Sequence, residues 1–127
     1  FHAGRAVSPI GRAITVPERP DRLKLALTSC QHWETGYFGA YRDMIEGEPD
    51  LIVHAGDYIY ESPTRGKSVR SFGAAEPTDL AAYRARHALY KSDADLRAAH
   101  AAAPWLVTWD DHEVQNDYAG LFAEDGS

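Results

Sequence analysis

DLIVHAGD, residues 50–57, is an apolar run that ends in glycine and aspartate. Such a run without alternation is typical of a strand buried on both faces of a parallel sheet. Two other segments also predict strands: LKLALTSC (residues 23–30), from its alternating leucines, and WLVTW (residues 105–109). Helical segments lie between the three strands. The order strand, helix, strand, two helices, strand predicts an α/β fold with parallel pairing and right-handed crossovers.

Three helices are predicted from the spacing of apolar residues. FGAYRDMIEGE, residues 38–48, has the pattern of a short helix that a glycine ends. Residues 80–90 place two tyrosines, a leucine and a histidine on one helical face. The third helix is predicted to open at Ser92, because Asp95 follows three residues later in a capping-box pattern. Residues 62–77, rich in glycine, serine and proline, predict a loop.

Composition narrows the class of protein. A chain of 127 residues is long enough for one modest core. Its net charge of −6, with no basic cluster, argues against a nucleic-acid-binding surface. No apolar run approaches the length that spans a membrane, and a single cysteine excludes an internal disulfide framework. PERPDR, residues 17–22, is predicted to be a linker, because two prolines among charged residues disfavour both helix and central strand.

All three predicted strands end in polar groups that can bind metal ions. These groups are Cys30 after the first strand, Asp57, Tyr60 and Glu61 after the second, and Asp110, Asp111, His112, Glu113 and Asn116 after the third. Parallel strands place their carboxyl ends at one edge of a sheet, where α/β proteins bind ligands. Adjacent carboxylates repel one another and are costly to desolvate, so this edge is predicted either to be solvated or to hold a cation.

The side chains at this edge are of two chemical kinds. Carboxylate and amide oxygens suit Ca²⁺, Mg²⁺ or Mn²⁺, whereas a thiolate and a phenolate suit Fe³⁺. One shared carboxylate can bridge two metals, and two metals about 3.5–4 Å apart stabilise phosphoryl transfer. A nearby histidine can then act as general acid or as donor to a phosphate oxygen. Each group also has a structural explanation: a buried cysteine, a Gly-Asp turn, and acids at a helix N-terminus.

Four segments carry a resemblance to a known family. They are SPIGRAITVP (8–17), SCQHWETGYFGAY (29–41), PDLIVHAGDYIYE (49–61) and YRARHALYKSDADLRAAHAAAPWLVTWDDHEVQNDYAG (83–120). With these the chain resembles the PhoD-like alkaline phosphatases and phosphodiesterases of the calcineurin-like metallophosphoesterase superfamily. The resemblance implies a metallophosphoesterase-like layered sheet with helices, of which this chain would be the N-terminal half. Residues 1–20 would end a preceding β-sandwich module and its linker, and residues 21–127 would begin the catalytic domain.

The resemblance also implies a role for each site residue. The carboxylate of Asp57 would bridge the two metals, and Cys30 and Tyr60 would hold Fe³⁺. Ca²⁺ would be held by either Asp111 or Asn116, and the sequence leaves this choice open. His112 would be the catalytic histidine. Two further residues would support the site or contact the substrate, namely Tyr90 and Asp110.

The implied reaction is hydrolysis of phosphate mono- or diesters by a metal-bound hydroxide that attacks phosphorus in line. Besides the phosphate-ester substrate, the implied partner is the remaining half of the catalytic domain, which would bring further ligands. The family is typically exported, which implies a periplasmic or extracellular location, although no signal segment is visible in this chain. The alternative function is a non-catalytic calcium-binding or interaction module that uses only the acidic strand ends.

Overall fold

The computed structural model describes residues 2–15, 18–19 and 21–122. In chain order, its elements are β1 (His2–Ala3), β2 (Ala6–Val7), β3 (Leu25–Thr28), α1 (Ala40–Glu46), β4 (Leu51–His54), α2 (Leu80–Tyr90), α3 (Ala94–Ala102) and β5 (Trp105–Val107). Strands β3, β4 and β5 form a parallel sheet with β4 in the centre. The predicted α/β order and parallel pairing are therefore confirmed.

The register of the sheet brings the ends of the three strands level with one another. Thr28 pairs with His54, and His54 pairs with Val107. The amide of Thr108 then donates to the His54 carbonyl at 3.0 Å. The chain segments that follow the strands consequently leave the same edge of the sheet, which is where the metal-competent residues were predicted to meet.

The core lies on one face of this sheet. Ile52 of β4 is fully buried in an aromatic-rich cluster, and Ala26 and Trp105 pack against that cluster from the neighbouring strands. Side chains alternate along a strand, so the intervening residues point to the other face. There Leu27 is 72% exposed and Leu106 is 61% exposed. The helices therefore cover one face, and the other face is apolar and open to solvent.

Two local predictions differ from the structure. The first and third strands are shorter than predicted and end at Thr28 and Val107. The third helix is capped by Asp93, whose side chain accepts from the amides of Asp95 and Leu96. The Ser92 hydroxyl instead donates to the Leu89 carbonyl, at the end of α2. The predicted cap at Ser92 is wrong because that hydroxyl donates to a carbonyl at the end of the preceding helix and so does not cap α3.

The N-terminal segment forms a small antiparallel pair, β1 with β2. Further along, the amide of Arg12 donates to the Ala101 carbonyl at 2.7 Å, which joins this segment to α3. The predicted linker at residues 17–22 falls partly outside the described residues. The boundary at residue 20 and the β-sandwich module before it stay predictions. Among the described residues, no helix is long and apolar enough to cross a membrane.

Two histidines beside the core are held neutral by burial. The His54 side chain is fully buried, and within the described part of the chain neither ring nitrogen has a hydrogen-bond partner. His100 Nε2 lies 2.7 Å from the Tyr58 hydroxyl and 3.1 Å from Lys91 Nζ. Burial lowers the pKa of each histidine from 6.5 to about 4, and for His100 the neighbouring Lys91 adds to this effect.

These lowered pKa values predict acid destabilisation. The unfolded chain binds protons on these histidines near pH 6.5, whereas the folded chain binds them only near pH 4. The free energy of unfolding should therefore fall as the pH drops from about 6.5 to about 4. Urea denaturation across this range measures the effect, and His54→Leu should reduce the slope. An unchanged slope in that variant would contradict the assignment to His54.

Candidate metal centre

Backbone contacts hold the three strand-end loops against one another. The amides of Cys30 and Gln31 donate to the carbonyls of Gly56 and Asp57, both at 3.1 Å. On the other side, a Cβ placed on Gly56 would lie 2.6 Å from the Cβ of Asp110, and Gly56 has a φ of +107°. Glycine is needed here both for its backbone conformation and for this close approach.

This close approach predicts a large effect of Gly56→Ala. The added methyl group would overlap Asp110, and the left-handed backbone disfavours any side chain. Gly73→Ala is a matched control, because Gly73 has a φ of +67° but open space at its Cβ position. We expect the control to lose about 1 kcal/mol and Gly56→Ala to lose about 2 kcal/mol more. Urea denaturation measures both losses, and equal losses would show that the contact with Asp110 is unimportant.

Asp57 lies at the centre of the site. Its side chain is buried, and its Oδ2 accepts a hydrogen bond from the Tyr60 hydroxyl at 3.0 Å. Its Oδ1 is buried and has no hydrogen-bond partner among the described residues. Burial raises the pKa of Asp57, and the Tyr60 hydrogen bond, the His112 charge and the Cys30 thiol oppose that rise. A buried carboxylate oxygen without a partner is costly, and a bound cation would satisfy it.

Asp111 and His112 come from the third loop and face Asp57. One ligand atom from each of the three side chains lies within 4.8 Å of the other two, so one metal ion can contact all three. The Asp111 carboxylate accepts a hydrogen bond from the amide of Asp117 at 2.6 Å. That hydrogen bond, with a contribution from the His112 charge, lowers the pKa of Asp111. The structure therefore combines an ionised carboxylate, an unsatisfied carboxylate and an imidazole.

The orientation of His112 is set by Glu61, which the sequence placed only among the groups able to bind a metal. Glu61 is almost fully buried, and its Oε2 lies 2.8 Å from His112 Nδ1. Its Oε1 accepts from the amide of Asn116 at 3.0 Å. An ionised carboxylate only accepts hydrogen bonds, so beside an ionised Glu61 the Nδ1 of His112 donates and Nε2 stays available for other contacts. Burial alone would lower the pKa of His112, but the hydrogen bond and charge of Glu61, with Asp57 and Asp111, raise it overall.

Cys30 and Tyr60 lie beside Asp57, and their assignment as iron ligands stays a prediction. The Cys30 thiol is exposed and interacts with both the Asp57 carboxylate and the Tyr60 hydroxyl. Burial, followed by the Asp57 charge, raises the pKa of Tyr60. Cys30 and Asp57 both have left-handed backbones, with φ of 55° and 54°. Such conformations are uncommon for residues other than glycine and cluster at functional sites.

The remaining predicted site residues have different surroundings. Asn116 lines a cavity of about 530 Å³ together with His112 and Tyr60, and its Nδ2 donates to Asp117 Oδ2 at 3.0 Å. The choice between Asp111 and Asn116 as the calcium ligand therefore stays a prediction. The Asp110 side chain is exposed next to Gly56.

Tyr90 supports the site from inside the core. It is fully buried, and its hydroxyl accepts from the amides of Trp33 at 3.0 Å and Tyr60 at 3.1 Å. Burial raises the pKa of Tyr90 to about 12. Of the two predicted roles, this geometry fits support of the Tyr60 backbone and not contact with a substrate.

Glu113 is a second acid that the sequence placed only among the possible metal-binding groups. Its carboxylate accepts hydrogen bonds from backbone amides in both the second and the third loop. Glu61 and Glu113 reach partners more than fifty positions away in the sequence. The sequence signal that could have indicated these roles was chemical, because an acid beside a buried strand needs a hydrogen-bonding or charged partner.

Carboxylates, an imidazole, a thiol and a phenol meet at the carboxyl edge of a parallel sheet, which defines an α/β domain with a candidate metal centre. The sequence matches the PhoD-like phosphatase family over residues 25–126. The chain therefore belongs to the PhoD-like phosphatase family, as its resemblance predicted.

Two relatives show the extent of the similarity. The chain is 46% identical over 134 residues to alkaline phosphatase D of Bacillus subtilis (strain 168), covering 99% of this chain and 23% of that protein. A solved structure, described as the structure of PhoD, is 47% identical and superposes with a TM-score of 0.83, covering 91% of this chain and 24% of that one. The chain thus spans about a quarter of the length of these relatives.

Proposed function

We propose that this chain supplies one part of the active site of a phosphatase that hydrolyses phosphate mono- or diesters with bound metal ions. The observation that carries the proposal is the cluster of Asp57, Asp111 and His112, in which one atom able to bind metal from each side chain lies within 4.8 Å of the others, so the histidine adjoins any cation held by the two carboxylates. The Asp57 oxygen that lacks a partner among the described residues adds a structural reason for a cation. The family membership, from residues 25–126, supports the class of reaction.

The donor set fits two metals of different character. Asp57 would bridge them, Cys30 and Tyr60 would hold Fe³⁺, and Asp111 or Asn116 would hold Ca²⁺. When bound, the metals would activate a water molecule and neutralise charge on the phosphate oxygens. Burial and Asp57 keep Tyr60 protonated in the metal-free chain, and a cation would reverse this local electrostatic balance.

His112 would act on the phosphate ester directly. Because Glu61 occupies Nδ1, the Nε2 of a protonated His112 would donate to a phosphate oxygen or to the leaving-group oxygen. In the metal-free chain, burial alone would lower the pKa of His112, but the hydrogen bond and charge of Glu61 raise it, and Glu61 would favour the protonated ring beside the bound cations as well. The cavity of about 530 Å³ beside His112 and Tyr60 would accommodate the rest of the substrate.

The site would be completed by the remaining half of a catalytic domain. A pair of ions that are each about six-coordinate needs roughly ten ligand positions, more than these side chains fill. The apolar face that carries Leu27 and Leu106 is the surface that this second half would cover. The parent protein would act in the periplasm or outside the cell, as the family resemblance implies.

A chimera tests this proposal. In it, this chain replaces the matching segment of the Bacillus subtilis alkaline phosphatase D, with which it shares 46% identity. We expect the chimera, supplied with Fe³⁺ and Ca²⁺, to bind both metals and to hydrolyse an aryl phosphodiester. The isolated chain should show negligible turnover. A folded chimera that binds both metals but has no activity would contradict the proposal.

Visible absorption separates the catalytic site from a calcium-binding module. Tyr60 bound to Fe³⁺ as tyrosinate absorbs visible light, whereas a site that holds only Ca²⁺ is colourless. Cys30→Ser should lower the iron content of the chimera, because a thiolate is a much stronger iron ligand than a hydroxyl. Full iron content in Cys30→Ser would remove Cys30 from the ligand set.

A further inference from the structure

We propose that Glu113 is a positioning residue that sets the separation between the two loops bearing the metal ligands. The inference rests on the proposed function for the metals, but its structural basis is independent of them. The Glu113 carboxylate accepts from four backbone amides, those of Asp57, Tyr58, Ile59 and Asp110. The first three amides belong to the loop after β4, and the fourth belongs to the loop after β5.

The conformation of Asp57 creates the binding place for this carboxylate. Its φ of 54° is left-handed, and successive amides in such a turn point to a common centre that binds anions. Glu113 supplies the anion. Its Oε2 accepts from Asp57 at 3.1 Å, and its Oε1 accepts from Ile59 at 3.3 Å and from Tyr58. The uncommon backbone of a central proposed ligand is therefore held by a side chain from the other loop.

A single oxygen joins the two loops. Glu113 Oε2 accepts from Asp57 in one loop at 3.1 Å and from Asp110 in the other at 2.7 Å. The pairing of β4 with β5 ends at His54 and Val107, before either set of ligands begins. Beyond that point, Glu113, Glu61 and the close approach of Gly56 to Asp110 hold the loops together.

This arrangement gives Glu113 a different task from the acids around it. A carboxylate has about four acceptor sites, and four amides occupy those of Glu113. Glu113 is therefore engaged with the backbone and is not itself a metal ligand. In Glu113→Gln, the side-chain NH₂ would face amide donors and leave some of them unpaired. Asp57 and Asp111 should then lose their fixed separation, and metal affinity should fall.

Glu34→Gln is a matched control. Glu34 is also a buried glutamate that binds backbone amides, those of Thr64 at 2.9 Å and Phe72 at 3.0 Å, but it does not join the loop that bears Asp57 to the loop that bears Asp111. Both variants should lower the melting temperature of the chain. A positioning role predicts a further effect on metal binding that is specific to Glu113→Gln.

The test is a Mn²⁺ titration of the 127-residue chain. Binding is measured by the paramagnetic broadening of the amide NMR signals, at a temperature below the melting temperature of every variant. We expect the Mn²⁺ dissociation constant to rise at least about tenfold in Glu113→Gln and to stay within twofold in Glu34→Gln. Equal constants in the unchanged chain and Glu113→Gln, or equal losses in the two variants, would overturn the positioning role. Absence of Mn²⁺ binding in the unchanged chain would instead overturn a metal centre that forms without the remaining half and, with it, the effect of Glu113 on the affinity of this chain.

A second measurement needs no variant and no metal. Hydrogen exchange of the unchanged chain should show the amides of Tyr58 and Asp110 protected as strongly as the Thr108 amide, which donates to His54. Rapid exchange of Tyr58 and Asp110, with Thr108 protected, would overturn the contact itself. This measurement remains decisive if Glu113→Gln does not fold.

Discussion

Asp57→Asn is expected to abolish phosphodiester turnover by the alkaline phosphatase D chimera while leaving its fold intact. The substitution keeps the shape of the side chain and an oxygen that can accept from Tyr60. It removes the negative charge at the point where both cations would bind. Because metal ions contribute several kcal/mol of transition-state stabilisation, the rate should fall by about 10³-fold or more.

In the metal-free chain, the same substitution should not lower thermal stability. Burial raises the pKa of Asp57, which shows that its ionised form is unfavourable there without a cation. An uncharged asparagine should therefore keep or increase the melting temperature. Asp50→Asn is the control, because the Asp50 side chain accepts from the Lys24 amide at the other end of β4. This substitution should leave turnover unchanged. Near-normal turnover in Asp57→Asn would show that Gly56 and Asp57 form only a turn.

His112→Ala is expected to lower kcat/KM of the chimera by about 10²–10⁴-fold, the usual contribution of a general acid. The two metals should stay bound, because the proposed role of His112 is to donate a proton or hydrogen bond. Metal analysis beside the kinetic assay distinguishes the two possibilities. Loss of metal with an intact fold would make His112 a ligand, a role its distance from Asp57 and Asp111 also permits. The exposed His2 provides the control, and His2→Ala should not change the rate.

The fold was predictable where the spacing of apolar residues is compatible with only one kind of secondary structure. The apolar run at residues 50–57 predicted a central strand buried on both faces. Ile52 and His54 are fully buried in β4, whereas Leu51 and Val53 on the other face are only partly buried, so that half of the prediction is wrong for this chain. Helix spacing predicted α2, which runs from Leu80 to Tyr90. The predicted cap at Ser92 was wrong because Ser92 and Asp93 are both good caps, and the end of α2 decided between them.

The candidate site was predictable only in part. Polar residues at the ends of parallel strands must meet at one edge, so the proximity of Cys30, Asp57 and Asp111 followed from the fold class. The sequence did not show which acids would face a metal and which would bind backbone. That division depends on the local paths of the loops, such as the left-handed turn at Asp57 that directs amides at Glu113.

By itself, then, the sequence determined the order of elements, the parallel sheet and the residue types at its carboxyl edge, because periodicity and strand direction are local properties. Only the tertiary structure decided that Glu61 orients His112 and that Glu113 joins two loops. It also decided that the leucine face of the sheet lies open while the opposite face packs against the core. A side chain finds such partners through the packing of distant segments, and a hydrogen bond across more than fifty residues leaves no periodic signal in the chain.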